Sequence, residues 1–161
     1  MTPKEMVEFC QKQGIGIIDL KFTDLIGTLQ HLSIPLSELT EQNLADGYGF
    51  DGSSIRGFKA IQESDMLLMP DTNTAVVDPF CRIPTLSVIC NVMEPNREWF
   101  SRDPRYIAQK AEQFLKESGL ADVSYWGPEL EHFVFDAARF DQTSHSGYYF
   151  IESDEGIWNS G

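Results

Sequence analysis

The sequence predicts an α+β fold, in which helices and a sheet share one core. Two segments carry helix-start signals: a capping box at Thr2–Glu5, and the pair Asp103-Pro104 ahead of an apolar stripe. Between them, apolar and polar residues alternate over several short stretches, which is the pattern of half-buried strands. With 161 residues, of which 42% are hydrophobic, the chain is large enough to bury a core.

The first helix and the first two strands follow one another closely. The helix begins after Thr2 and ends at Gly14, because glycine stops a helix readily. Alternation over Ile15–Thr23 predicts a strand, and Asp24–Gly27 supplies a turn into a second strand that ends near Ile34. The sheet is therefore expected to start with a hairpin.

The later elements are predicted by the same patterns. A short helix is expected over Thr40–Ala45, and strands over Met66–Met69, Ala75–Val77 and Leu86–Met93. The strongest signal is a helix from Asp103 to Gly119, whose apolar residues recur at helical spacing. Strands and helices thus mix along the chain, as in an α+β domain.

A domain boundary is predicted near residue 97, where Pro95–Arg97 interrupts the strand pattern. It divides the chain into a first domain, 1–97, and the beginning of a second, 98–161. The second part contains the helix, strands predicted at Val123–Trp126 and Gly127–Phe135, and an aromatic stretch at Tyr148–Ile151. So short a segment is at the margin of independent folding. It stops at a turn-like sequence, Asn159–Gly161, and we expect the domain to continue beyond it.

The composition limits the kinds of molecule that the chain is expected to bind and the compartment in which it is expected to lie. The net charge is −13, from 25 acidic and 12 basic residues, which argues against nucleic acid and anionic membranes. Cys10, Cys81 and Cys90 have no metal-ligand spacing and fit free thiols in a reducing compartment. No signal peptide or membrane-spanning run is visible, so a cytoplasmic location is expected.

Glu129 and Glu131 form the first candidate site. In a strand, alternate side chains share a face, so these carboxylates would lie about 6.5 Å apart on the face that also carries Phe133 and Phe135. Buried acids need cations, and Mg²⁺ prefers carboxylate oxygens. The alternative is that the phenylalanines are core while the glutamates occupy the solvated end of the strand.

The second candidate site is the loop Gly47–Phe58, which contains four glycines and two serines. Its acid is Asp51, with Ser54 nearby. Taken alone, Asp51-Gly52 is a common turn, and a solvated hairpin tip explains it. Together with the glutamate pair, it indicates an ionised acid that could hold and deprotonate a small cation.

These motifs, in this order, resemble the glutamine synthetases of the bacterial type I class. The matching stretches are Phe50–Ile55 with Gly57, Glu63–Met66 leading to Pro70-Asp71, Asp103–Arg105 and Gly127–Glu131. The resemblance extends over nearly the entire chain.

The resemblance implies a glutamate–ammonia ligase that uses ATP and two divalent cations, Mg²⁺ or Mn²⁺, and passes through γ-glutamyl phosphate. Carried over by position, Glu129 is a ligand of the metal nearer the nucleotide phosphates, and Glu131 of the metal nearer glutamate. Asp51 binds ammonium and helps to remove its proton, with Ser54 beside it. Alternatives are a related carboxylate–amine ligase that uses another amine, and a non-catalytic interaction module.

The resemblance also implies an architecture. The first domain is expected to be β-grasp-like and to be followed by the incomplete beginning of an α+β catalytic domain. The Asp51 loop is expected to reach a neighbouring subunit, in a homododecamer of two stacked hexameric rings. Members of this family are much longer, so the chain is expected to be an amino-terminal fragment without ligase activity of its own.

Overall fold

The computed structural model describes residues 1–158, and the turn predicted at 159–161 lies outside them. The chain divides into two compact units, Met1–Ser124 and one that begins at Tyr125. Among the described residues, no helix combines the length and the apolarity that crossing a membrane requires. The domain boundary near residue 97 stays a prediction.

The first helix, α1 (Pro3–Gln13), begins and ends as predicted. Thr2 Oγ1 accepts a hydrogen bond from the Glu5 backbone N–H at 3.2 Å, and Glu5 Oε2 accepts one from the Thr2 N–H at 2.7 Å. Gly14 ends the helix at φ 66°, a backbone conformation that glycine adopts without strain. The helix buries Met6 and Cys10 in the core.

A mixed sheet forms the centre of the first unit. The strands are β1 (Ile17–Thr23), β2 (Leu29–Pro35), β3 (Tyr48–Asp51), β4 (Asp65–Pro70), β5 (Val76–Val77) and β6 (Thr85–Met93). They follow the order β2-β1-β6-β4-β3 in the sheet, and β5 also pairs with β6. The hairpin β1–β2 is antiparallel, as predicted, while β1 and β6 run parallel, with Leu20 opposite Val88.

The core lies on one face of this sheet. Ile18, Leu20 and Phe22 of β1 are buried, as the alternation predicted. Four alternate residues of β6 are fully buried beside them, namely Leu86, Val88, Cys90 and Val92. The aromatic rings of Phe58 and Phe100 complete the core, with their centroids 4.9 Å apart.

The segment Gly47–Phe58 was predicted as a loop, and its first part is instead a strand. After the short helix α2 (Glu41–Asp46), β3 (Tyr48–Asp51) pairs antiparallel with β4, with Asp51 opposite Asp65. The glycine content concealed this strand, since glycine is rare in strands. Asp51 is thereby placed at the end of an edge strand.

The helix predicted from Asp103 is α3 (Pro104–Glu117). Its start is tied to the sheet, because Asp103 is fully buried and accepts hydrogen bonds from the backbone of both Val92 and Arg105. Its apolar stripe is largely uncovered: Ile107 is 50% exposed and Phe114 68% exposed.

In the second unit, the strands predicted at Val123–Trp126 and Gly127–Phe135 are wrong, because residues 123–135 have no regular secondary structure. A strand forms only beside a neighbouring strand, and within residues 1–158 the sheets include no strand from this segment. The hairpin β7 (Ala137–Gln142) and β8 (Gly147–Glu152) follows it, and β8 contains the predicted aromatic stretch.

Candidate functional site

Asp51 is held by its own turn at the end of β3. The Asp51 Oδ1 atom accepts hydrogen bonds from the Ser53 backbone N–H at 2.8 Å and from the Ser53 hydroxyl at 2.6 Å. The Ser53 side chain, then its backbone N–H, lowers the pKa of Asp51 below its ordinary value. Asp51 is therefore an ionised carboxylate at neutral pH, and it is exposed.

Gly52 fixes this turn against β4. Its N–H donates to the Ser64 carbonyl oxygen at 2.7 Å, and the residue is buried. A Cβ at this position would lie 2.8 Å from Met66 Cγ, closer than Cβ atoms pack, and 3.1 Å from the Ser64 backbone oxygen, which is a tight contact. The close approach of two backbones therefore explains the glycine.

The hydroxyl that contacts Asp51 belongs to Ser53 rather than to Ser54, the residue singled out from the sequence. Ser54 is the third residue of the same turn and is exposed. An aspartate that bonds the backbone two residues on is a recognised turn pattern, so the run Asp51-Gly52-Ser53 carried the signal that sequence reasoning missed.

An acidic cleft of about 540 Å³ lies beside the turn. Ser64, which accepts the Gly52 hydrogen bond, is one of its lining residues. Four acidic residues face one lysine there, and that lysine, Lys59, is paired with Glu94 at 2.7 Å. The other three acids of the cleft are Glu63, Asp65 and Glu98. The surroundings of the turn therefore favour cations over anions.

Glu129 and Glu131 are both exposed, in the irregular segment of the second unit. Phe133 and Phe135 stack on each other, with centroids 6.1 Å apart and planes at 9°. Alternate side chains of an extended segment lie on the same face. The contact therefore agrees with the prediction that Phe133 and Phe135 share a face, although residues 123–135 form no strand. Asp51 and Ser54 belong to the first unit and the glutamates to the second.

The donor chemistry of the glutamate pair suits a hard cation, since carboxylate oxygens are the ligands that Mg²⁺ and Mn²⁺ prefer. Within residues 1–158, however, no three acidic, histidine or cysteine side chains are grouped as a metal site would require. The pair therefore fits part of a ligand set, to which other groups would have to contribute.

Comparison with known proteins places the segment that contains Asp51 and the segment that contains the glutamate pair in one family. The model of the glutamine synthetase β-grasp domain matches residues 14–95, and that of the glutamine synthetase catalytic domain matches residues 101–158. The glutamine synthetase of Microchaete diplosiphon is 54% identical over 161 residues, and that of Aquifex aeolicus 48% over 159 residues. These alignments cover 99% and 98% of the chain, and 34% of each relative.

The fold agrees with a solved structure. A cryo-electron microscopy structure of Plasmodium falciparum glutamine synthetase superimposes with a TM-score of 0.72, at 22% sequence identity. The superposition covers 94% of the chain and 30% of that structure's chain. At this identity the likeness concerns the fold alone.

These matches first define a class, a β-grasp domain followed by the first part of a catalytic domain, which confirms the predicted fold class. The chain belongs to the glutamine synthetase family. It spans about a third of the length of the curated relatives that it matches.

Proposed function

We propose that the chain is part of an enzyme that joins ammonia to the γ-carboxylate of glutamate at the expense of ATP. The γ-phosphoryl group of ATP passes to the glutamate carboxylate, ammonia attacks the acyl phosphate, and phosphate leaves as the amide forms. The single observation that supports this from the structure is the exposed, ionised Asp51 carboxylate in an acidic setting, within a segment that matches glutamine synthetases.

Asp51 would bind ammonium and receive its proton, with Ser54 beside it. Only NH₃ can attack the acyl phosphate, whereas NH₄⁺ predominates at neutral pH. An anion next to the reacting carbon serves both needs, because it attracts the cation and accepts the proton as the C–N bond forms. Among residues 1–158, Asp51 forms no ion pair with lysine or arginine, which leaves its charge available to such a ligand.

Glu129 and Glu131 would contribute ligands to two divalent cations, Mg²⁺ or Mn²⁺. Glu129 would serve the metal nearer the phosphates of ATP, and Glu131 the metal nearer glutamate. When bound, such cations neutralise the charge that gathers during phosphoryl transfer. The contribution of this chain is a pair of flexible oxygen donors in an exposed segment.

The remaining parts of the proposal concern assembly and location. The residues for ATP and glutamate would come largely from sequence that the relatives have and this chain does not span. The Asp51 loop would complete a site on a neighbouring subunit of a cytoplasmic homododecamer. An exposed turn at the end of an edge strand is suitably placed for this, since nothing within residues 1–158 covers it.

The test is a substrate assay on the full-length enzyme that carries this segment. Glutamine formation should require ATP, glutamate, ammonium and Mg²⁺ or Mn²⁺, and removal of metal with EDTA should abolish it. A panel of primary amines at matched concentrations separates the alternative ligase, for which another amine would be the better substrate. Faster turnover with another amine would overturn ammonium as the substrate. Absence of any ATP-dependent amide formation would leave the interaction module as the better account.

A further inference from the structure

We propose that Ser53 is a positioning residue for ammonium capture: its hydroxyl and backbone N–H hold one oxygen of Asp51, so that the other oxygen faces the incoming cation. This inference rests on the function proposed above. It concerns the residue next to the one that the family resemblance indicates, and it follows from the hydrogen bonds of the turn.

Both donors from Ser53 converge on the same atom. The N–H and the hydroxyl reach Asp51 Oδ1 at 2.8 and 2.6 Å. A hydroxyl that donates to a carboxylate forms a short, charge-assisted hydrogen bond, which fixes the rotation of the carboxylate group. Oδ2 is then presented in one orientation instead of sampling several.

Asp71 provides an internal comparison, because it forms the same kind of turn. Its Oδ1 accepts from the Asn73 N–H at 3.1 Å, as Asp51 does from Ser53. The second oxygen of Asp71 is occupied, since Arg105 Nη2 lies 2.6 Å from Oδ2. The turn at Asp71 therefore serves an internal ion pair.

At Asp51, by contrast, the donors in the described part of the chain are neutral: Ser53 and, more weakly, Ser64. Neutral donors orient the carboxylate and keep it ionised without cancelling its charge. Gly52, between the aspartate and the serine, anchors the turn beside β4 through its hydrogen bond to the Ser64 carbonyl oxygen. Such an arrangement orients an anion for an external cation.

The experiment compares Ser53→Ala, Ser53→Thr, Asp51→Ala and Ser37→Ala with wild type in the full-length enzyme. The measured quantities are kcat and the KM values for ammonium, glutamate and ATP. Ser53→Thr keeps the hydroxyl, and Asp51→Ala removes the whole binding group. Ser37 is an exposed serine in a separate turn, and its substitution controls for the loss of a surface hydroxyl.

We expect Ser53→Ala to raise the KM for ammonium by about tenfold, the usual effect of losing one hydrogen bond to a charged group. The KM values for glutamate and ATP should stay at wild-type levels. Ser53→Thr should restore most of the ammonium affinity, Asp51→Ala should raise the KM for ammonium further, and Ser37→Ala should match wild type.

Two results would overturn the role of Ser53 while leaving the proposed function intact. One is an unchanged KM for ammonium in Ser53→Ala. The other is a parallel rise of all three KM values, which would show a merely structural role. A wild-type enzyme that forms no amide from ammonium would instead refute the proposed function itself, and with it this inference.

Discussion

Asp103 shows how one buried carboxylate can join two elements. Its Oδ2 accepts from the Val92 N–H at 2.9 Å, and its Oδ1 accepts from the Arg105 N–H at 3.0 Å. Burial raises the pKa of Asp103 above its ordinary value, although these hydrogen bonds oppose the rise. The sequence predicted the helix cap, because an aspartate before proline is a standard helix start. The bond to β6 depends on tertiary packing, which local pattern does not encode.

Asp103→Ala should therefore destabilise the chain by about 1–3 kcal/mol, because the buried Val92 N–H loses its acceptor and α3 loses its cap. Asp103→Asn should cost less, since an amide retains one acceptor oxygen. Urea unfolding, followed by far-ultraviolet circular dichroism, measures the free energy of unfolding. Asp122→Ala, at an exposed aspartate, is the control. Equal stability of Asp103→Ala and this control would contradict the assignment.

At the residue scale, the sequence identified Asp51 as the acid of the loop and missed its partner. Ser53 and Ser54 are adjacent and chemically identical, and the family resemblance pointed to Ser54. The hydroxyl on the carboxylate is that of Ser53, because the tight turn brings residue i+2 back to the aspartate. The roles of Asp51, Ser54, Glu129 and Glu131 stay predictions.

At the element scale, α3 is tied to the sheet through Arg105. Arg105 donates to Asp71 and to Asn91, whose side chain is buried and also donates to Gln109 at 2.6 Å. Burial would raise the pKa of Asp71, but the hydrogen bond from Arg105, the hydrogen bond from the Asn73 N–H and the charge of Arg105 together lower that pKa. Asp71 therefore stabilises the fold above the ordinary pKa of aspartate, and this contribution is lost as the pH falls through its folded pKa.

Arg105→Met should lower the free energy of unfolding by about 1–3 kcal/mol at pH 7, because Asp71 loses its ion-pair partner and the Asn91 oxygen loses its donor. The difference from wild type should begin to shrink as the pH falls below the ordinary pKa of aspartate, about 4, and should be smallest below the lowered pKa of Asp71 in the folded wild type. Lys116→Met removes an exposed ion pair of the same helix and should change stability by less than about 1 kcal/mol. A pH-independent difference would contradict the contribution of the Asp71 ion pair and leave only the contact with Asn91 and packing.

The elements also show where sequence reasoning reaches its limit. The helices α1 and α3 and the strands β1, β2, β4, β5 and β6 were predicted from periodicity and caps, which are local signals. β3 was missed because its glycines resemble a loop. The strand predicted at Gly127–Phe135 is wrong, because a strand forms only beside a neighbouring strand. Within residues 1–158, neither sheet includes a strand from this segment.

At the scale of the whole molecule, the chain is one part of a larger architecture in its relatives. It spans about a third of their length, and α3 and β8 carry exposed apolar side chains, among them Phe114 at 68% and Tyr149 at 80%. The mixture of helix and strand patterns correctly indicated an α+β protein, and the composition indicated a chain able to bury a core. The β-grasp assignment required the family resemblance, because periodicity does not reveal the order of strands in a sheet.

Glu131→Ala in the full-length enzyme tests whether this chain supplies metal ligands, beside an ammonium-binding acid, to one ligase. The measurement is the rate of ATP-dependent glutamine formation as a function of Mn²⁺ concentration, with Glu155→Ala as the exposed control in the same unit. We expect Glu131→Ala to lower the rate by about a hundredfold, since a bound cation contributes several kcal/mol to phosphoryl transfer. High Mn²⁺ should restore part of the rate. Wild-type turnover and metal dependence in Glu131→Ala would show that Glu131 is not a metal ligand of the ligase.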